Sequence, residues 1–508
     1  MTITAAPDRP APAERTATLK PVAFHHFGSR GRHYLFDIDR VIAHDSNPEE
    51  GALLALARDG GPLSRDGLLE RFCQTDAAIA ADHAAEMIDS LIERGLLVGP
   101  AEPIERAPIA DASDYATFMV NVSQRCNLTC PYCYVNKGHF DYSEVPIPKM
   151  PMARAETIVD HIHANFPELR IYGYHFYGGE PLLNFKAIRR IVEQAEAKAR
   201  ATGTETDYHI TTNGTLLTAE IADFMAEHRF TVYYSIDSDE QTHDELRKYI
   251  NGNGSYADVE RNLRLLVERP GVHLIGSSVV REANSLGEAI EKLAETGASQ
   301  CKAERVRLTD DDPLALVDDA FGDYLDDIRD LADHYIDYID RSEKPLDYRL
   351  TSKILQLLTH KRRDFFCPAG DRMFGVSSDG ELYPCALHVG RPQSVLGDVE
   401  NGPDPDKVAA FREKFSAAGQ EVCRACWNRT LCGGGCSAMV DRFGHEKCDS
   451  LRAESEAAII VYRHFARTNP VQLIALVSPK IAQWAGGELD DADSLTPREP
   501  AAELRSYV

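Results

Sequence analysis

The sequence predicts an α/β protein organised around a parallel β-sheet, preceded by a winged helix–turn–helix unit and followed by a cysteine-rich unit. Three observations predict it. Six strand-like apolar runs alternate with amphipathic helical stretches between about residues 114 and 345. Ahead of them, a two-strand pattern is followed by three helical stretches and a short "GLLVGP" return. Behind them, seven of the twelve cysteines fall between Cys367 and Cys448.

The chain of 508 residues is long enough for two or three domains with sizeable cores. Residues 1–20 are Pro- and Ala-rich, lack the apolar core of a signal peptide, and are expected to be disordered. A compact unit is expected over 21–105. Its "YLFDIDRVIA" alternates apolar residues as paired strands do, and "SNPEEGALLALARDGG" reads as a helix with Ser46 or Asn47 as N-cap and Gly60 as its stop. "SRDGLLERF" is a second helix. "AADHAAEMIDSLIERGLLV" is a third, with Ala84, Met87, Ile88, Leu91 and Ile92 on one face. A Pro/Ala-rich linker, about 99–113, follows.

Over 114–345 the strands are "TFMVNVS", "RIYGYHFY", "DYHITTN", "FTVYYSID", "GVHLIGSSVV" and "AERVRL". Helices begin near Met152, Leu182, Thr218, Tyr256 and Leu286, and acidic helices fill about Pro313 to Ser342. This alternation suits an open doubly wound sheet or a partial barrel, and both place the active face at the loops after the strand C-termini. Residues 346–470 hold the cysteine-rich segment and a closing helix, and 471–508 form a C-terminal tail.

A net charge of −25 lacks the basic footprint that nucleic-acid binding needs. No apolar run is long enough to cross a bilayer. Neither nucleic acid nor membrane is an expected partner. A cytoplasmic location is expected, where thiols stay reduced and clustered cysteines more often bind metal than form disulfides.

Directly after the first strand stands "SQRCNLTCPYC", which puts Cys126, Cys130 and Cys133 in a C-x3-C-x2-C array. Three thiolates on one tight loop can hold three irons of a [4Fe–4S] cube and leave the fourth open. The competing reading is a zinc knuckle, but structural zinc takes four ligands. The nearest further candidate, His139, reads as a loop histidine.

The array resembles the signature of radical S-adenosylmethionine (SAM) enzymes, with Tyr132 in its aromatic place. The family's GGE-type turn after the second strand is matched by Gly178, Gly179 and Glu180 in "YGGEP". The turn is expected to let backbone groups approach a ligand, with the carboxylate accepting from the methionyl ammonium. "TTNGTLL" and "SIDSDEQTHDELR" resemble stretches that line the SAM pocket. They make Ser235 and Arg247 candidate contacts to ribose and carboxylate, a surface helix arginine being the bland alternative for Arg247. With this resemblance the parallel sheet is expected to be a partial (β/α)6 barrel of TIM type.

The later cysteines resemble, position by position, the SPASM extension of peptide-modifying radical SAM enzymes. That extension carries two auxiliary [4Fe–4S] clusters. By resemblance, Cys423, Cys426, Cys432 and Cys448 ligate the distal one, and Cys367, Cys385 and Cys436 the one nearer the active site. Cys73 and Cys301 are left over, each expected as a buried core thiol. The N-terminal unit resembles the leader-binding recognition element of ribosomal-peptide maturases.

What the resemblance implies is reductive cleavage of SAM to a 5′-deoxyadenosyl radical that takes hydrogen from a residue of a peptide. The electron comes from an external reductant of flavodoxin or ferredoxin type. Sulfatase-maturing members carry an aspartate directly after the second SPASM cysteine; Ala386 stands there, which speaks against that activity. The neighbourhood of Cys367, "THKRRDFFC", supplies no fourth cysteine to the proximal cluster. An open iron there would favour a substrate thiolate, so thioether cross-linking of a precursor peptide or small protein subunit is the expected reaction. Cys301, His360 or Asp364 could instead close the site. Carbon–carbon cross-linking, epimerisation or another oxidation would then move ahead. A zinc-stabilised binding protein without activity is the remaining alternative.

Overall fold

The computed structural model describes residues 18–75, 79–99, 106, 114–133, 149–281, 286–342, 348–446 and 448–477. The chain opens with β1 (Thr18–Pro21), β2 (Phe24–Ser29), β3 (Arg32–Asp37), β4 (Ile42–Ser46), α1 (Pro48–Asp59), β5 (Leu63–Ser64), α2 (Arg65–Cys73), α3 (Ala81–Glu93) and β6 (Leu97–Val98). β2, β3 and β4 form an antiparallel meander, and β1 pairs with β5 and β6. The helix signals act as expected: Asn47 accepts from the Glu50 N–H at the start of α1, and Gly60 closes it. Ser64 caps α2. Ala84, Met87, Ile88 and Leu91 of α3 are buried, with Ile92 packed against the same core.

Three strands of this unit, β1, β2 and the two-residue β5, were not anticipated. β1 falls partly within the segment expected to be disordered, of which residues 1–17 lie outside the described residues. β2 ("FHHFGS") shows no alternation of burial, and its pairing with β3 decides its conformation. β3 is a shared wall. Tyr34 and Phe36 enter the large core of the molecule, whereas Leu35 enters the small core of α1–α3. The expected linker lies outside the described residues except Gly99 and Arg106.

The central region alternates β7 (Tyr115–Ser123), α4 (Met152–Asn165), β8 (Ile171–Gly178), α5 (Phe185–Thr202), β9 (Glu205–Thr212), α6 (Ala219–Glu227) and β10 (Thr231–Ser235). It continues with α7 (Glu240–Leu246), α8 (Tyr256–Val267), β11 (His273–Val280), α9 (Leu286–Glu295) and β12 (Gln300–Arg305). The six strands pair in parallel and in sequence order. A doubly wound sheet would reverse that order at a switch point; the order found is that of a β/α barrel. Outward residues such as Tyr172, Tyr174 and Phe176 are buried under the helices. The inner face is polar: Tyr115 donates to Asp207 at 3.2 Å, and His175 lies 2.8 Å from the Thr211 hydroxyl.

The chain ends with α10 (Asp318–Ser342), α11 (Tyr348–Thr359), β13 (Met373–Val376), β14 (Glu381–Tyr383), β15 (Gly397–Asp398), β16 (Gly402–Pro403), α12 (Pro405–Phe415), α13 (Glu421–Arg424), α14 (Arg429–Cys432), α15 (Ser437–Phe443), α16 (Cys448–Thr468) and α17 (Pro470–Val477). The cysteine-rich segment is continuous with the barrel. β13 pairs in parallel with β7, and β14–β16 extend the sheet antiparallel to ten strands. The expected acidic helices are one helix, α10. The expected C-terminal tail starts inside α17, and the rest of it lies outside the described residues. Among the described residues no helix is long and apolar enough to cross a membrane.

Candidate functional site

β7 ends in a register shift between Asn121 and Ser123, which turns the chain out into the first cysteine loop. The loop is held from two sides. The Thr129 N–H donates to the Lys248 carbonyl at 2.7 Å, and the N–H groups of Gly179 and Glu180 donate to the carbonyls of Ser123 and Arg125, both at 2.8 Å. Cys126, Cys130 and Cys133 are thereby brought together, near enough to raise one another's pKa.

Gly178 and Gly179 serve this packing. A Cβ on Gly178, which sits at φ +132°, would lie 2.0 Å from the Ser123 carbonyl oxygen, and one on Gly179 would lie 2.6 Å from that of Arg125. The glycines therefore make room for the cysteine loop's own backbone. Glu180 is likewise engaged within the protein. Its fully buried carboxylate already accepts from the Leu182 N–H (3.0 Å), the Thr212 hydroxyl (2.8 Å) and the Asn213 N–H (2.8 Å). Burial pushes its pKa up to about 7 against the pull of those donors. Glu180 thus ties the β8 turn to the end of β9.

Arg247 is buried, not a surface arginine. Its Nε and Nη2 donate to the two carboxylate oxygens of Asp237 at 2.8 and 3.1 Å, and its guanidinium lies 5.5 Å from the centre of the Tyr132 ring. Asp237 also accepts from the Val279 N–H at 3.0 Å. Burial alone would raise the Asp237 carboxyl, but the guanidinium and these donors hold it below the usual range. Ser235 stands part-buried at the C-terminal end of β10. Asn213, in the quoted "TTN" stretch but not singled out from sequence, reaches Cys126 Sγ at 3.7 Å, and the Leu128 N–H reaches it at 3.4 Å.

The residues at this loop fit an iron–sulfur cluster with a polar ligand. The Tyr132 hydroxyl and both carboxamide atoms of Asn121 and of Gln124 are buried without a hydrogen-bond partner. Orphans of this kind cost about 1–3 kcal/mol each, and these flank the three thiols.

The other cysteines form two further groups. Cys423, Cys426, Cys432 and Cys448 line one cavity of roughly 350 Å³, part of it open to solvent, with Arg429 and Arg452 in its wall. Among the described residues no three His, Cys, Asp or Glu side chains converge closely enough to hold a single metal ion. Four thiols around such a space suit a polynuclear group better than one zinc. Cys367, Cys385 and Cys436 act on one another electrostatically, and Met119 of β7 packs against the apolar cluster that contains Cys385. Burial pushes the Cys423 thiol up to about 12 and the Cys367 thiol up to about 11, so thiolates here need a cation to form. Cys301 is buried as expected. Cys73 is exposed, because it ends α2 on the solvent side. His139 lies outside the described residues.

Comparison with known proteins agrees with this geometry. A model of the radical SAM superfamily matches residues 120–281. The chain is 33% identical over 161 residues to a serine-type anaerobic sulfatase-maturating enzyme of Bacteroides thetaiotaomicron, covering 32% of this chain and 38% of that protein. It is 29% identical over 173 residues to the radical SAM cyclopropyl synthase TigE of Paramaledivibacter caminithermalis, covering 32% of this chain and 34% of the relative. The match thus spans little more than a third of either relative's length. A solved structure of native anSMEcpe with bound AdoMet superposes with a TM-score of 0.58 at 20% identity, over 70% of this chain and 99% of the other, which shows a shared fold. Residues 120–281 form a radical SAM domain.

Proposed function

We propose that this protein is a SPASM-type maturase that installs thioether cross-links in a ribosomally made peptide or small protein subunit. Cys126, Cys130 and Cys133 hold the catalytic [4Fe–4S] cluster. Cys423, Cys426, Cys432 and Cys448 hold the distal auxiliary cluster, and Cys367, Cys385 and Cys436 the proximal one. When bound, SAM and the catalytic cluster would supply hydrogen-abstracting radical chemistry, with the electron coming from a flavodoxin- or ferredoxin-type partner. Around them Arg247 and Asp237 fix Tyr132, Ser235 offers a free hydroxyl at the strand end, and the orphaned amides of Asn121 and Gln124 receive polar ligand groups.

The observation that carries the thioether reading is the three-cysteine proximal group. Cys301 sits on the outer face of β12, where its field acts on Tyr234. The His360 ring is anchored on the Val41 carbonyl at 3.1 Å, and Asp364 pairs with Arg362. With these candidates engaged elsewhere, one iron is left for a substrate thiolate. Ala386 is fully buried after Cys385 and carries no acid–base group, which argues against sulfatase maturation. The unit over residues 21–105 holds the leader of the precursor, as an added strand on the free edge of β2 or β4.

Mass spectrometry of the product tests this. The expected product has lost two hydrogens per bond and has a cysteine that resists alkylation. A product in which every cysteine still alkylates refutes thioether formation.

A further inference from the structure

The inner face of the last barrel strand carries charge that the chemistry above does not use. Lys302 and Glu304 alternate along β12 with the buried Cys301 and Ala303 and so take its opposite, inner face, and Arg307 follows two residues beyond the strand's end. Lys302 Nζ lies 3.2 Å from Glu304 Oε1, and Arg307 Nη2 lies 3.3 Å from Glu304 Oε2. Arg307 is partly accessible, with 31% of its side chain exposed. Among the described residues its guanidinium makes no hydrogen bond; the 3.3 Å contact to Glu304 is its one charged pairing. The donors of its fork other than those on Nη2 are thus left without a hydrogen-bond partner among the described residues.

The place matters as much as the donors. Besides Glu304, the thiol of Cys436 and the carboxylate of Glu454 act on Arg307, so it stands between the barrel and the proximal cysteine group. Glu454 is already taken by Arg349 and Lys353, each at 3.1 Å. Among the described residues, Lys302, Arg307, Arg349 and Lys353 gather here around Glu304 and Glu454.

We propose that Arg307, backed by Lys302, is a specificity-determining residue that receives a carboxylate of the substrate. The substrate segment that reaches it is then acidic, bearing an Asp or Glu side chain or a free C-terminal carboxylate beside the residue that reacts. The inference rests on the reading of the substrate as a peptide. The planar fork matches a carboxylate bidentately, and a charge-assisted pair out of bulk water is the strong kind of hydrogen bond.

The test uses the anaerobic, cluster-loaded, SAM-bound enzyme and three capped amino acids. These are N-acetyl-aspartate methylamide, N-acetyl-alanine with its free carboxylate, and neutral N-acetyl-asparagine methylamide. Affinities are measured by calorimetry, and crystals are soaked with each probe. At least one acid is expected to bind about ten-fold or more tightly than the neutral probe, with its carboxylate on Arg307. Arg307→Gln is expected to bring acid and neutral probes within about two-fold, and Arg307→Lys to restore part of the difference. Preference for the aspartate probe assigns a side-chain acid, and preference for the alanine probe assigns a C-terminal carboxylate. Equal binding of acid and neutral probes, discrimination that survives Arg307→Gln, or SAM's own carboxylate on Arg307 overturns the proposal. A wild-type enzyme that does not cleave SAM would defeat the functional reading instead, and the probe affinities would stand.

Discussion

Arg247 meets Asp237 before any ligand arrives, and that pairing decides what a substitution there does. Replacing Asp237 with Asn leaves a buried guanidinium without its counter-charge, an uncompensated state that costs about 3–5 kcal/mol. A melting-temperature drop of corresponding size is expected for Asp237→Asn; an unchanged melting temperature would show that the pair is not structural. The pH dependence follows from the direction of the shift. Asp237 is held below its unfolded value of 3.8, so its contribution is fully present above that value and fades only as pH falls through the lower folded value. The deficit of the variant should therefore be constant between pH 5 and pH 8. Glu180→Gln puts an amide NH2 where one of three donors needs an acceptor, at a cost of about 1–3 kcal/mol; a variant as stable as wild type would show those hydrogen bonds to be dispensable. At this scale the cysteines were legible, because their chemistry lies in local spacing. Asp237 was quoted within "SID" but not chosen, and Arg307 was invisible, since its neighbour Cys436 lies far along the chain. Local pattern does not report a partner brought in by the fold.

The strands and helices of the barrel were legible for a related reason: each carries its own apolar period. β13–β16 were not, because four strands of two to four residues have no period to read, and the edge of β7 tells them where to lie. β2 was missed because its histidines pack sideways. The His25 ring stacks on Trp427 at 3.8 Å and 3°, while its Nε2 lies 2.9 Å from Glu456. This contact, the Asp39–Arg429 pair at 2.9 Å, and Tyr34, Phe36, Val41 and Ala43 in the main core make the meander part of the larger body. The sequence suggested a unit that a linker sets apart. Cutting before residue 114 would strip an apolar face from the main core, so the truncated chain is expected to aggregate or to lose its cooperative melt. A truncated chain that stays monomeric with the wild-type melting temperature would show the two parts to be separable. His25→Ala is the gentler probe of the same junction, with an expected loss of about 0.5–1.5 kcal/mol from the ring pair.

Across the whole molecule the three cysteine groups share no residue, although Cys436 of the proximal group lies in sequence between Cys432 and Cys448 of the distal one, and they are not equivalent mechanically. The first group sits on a loop after β7 that is pinned by backbone hydrogen bonds to β8 and to Lys248. Replacing Cys126, Cys130 and Cys133 together with Ala should therefore abolish SAM cleavage, retain about two thirds of the iron, and leave the melt close to wild type. The distal group is different, because Cys448 is the first residue of α16. That helix packs on α10 and α11, reaches His25 through Glu456, and reaches Asp45 through Arg463 and Arg467. On the proposed reading, a cluster at Cys448 would anchor the N-terminus of the helix that joins the barrel, the cysteine-rich segment and the meander. Cys423→Ala combined with Cys448→Ala is accordingly expected to lose the distal iron and also to loosen the N-terminal unit. That loosening would be read as faster amide exchange in β2–β4, more than 370 residues away in sequence from Cys423. If exchange in β2–β4 is unchanged while iron falls, the distal group serves electron transfer alone, and the contacts of α16 hold the molecule together without it.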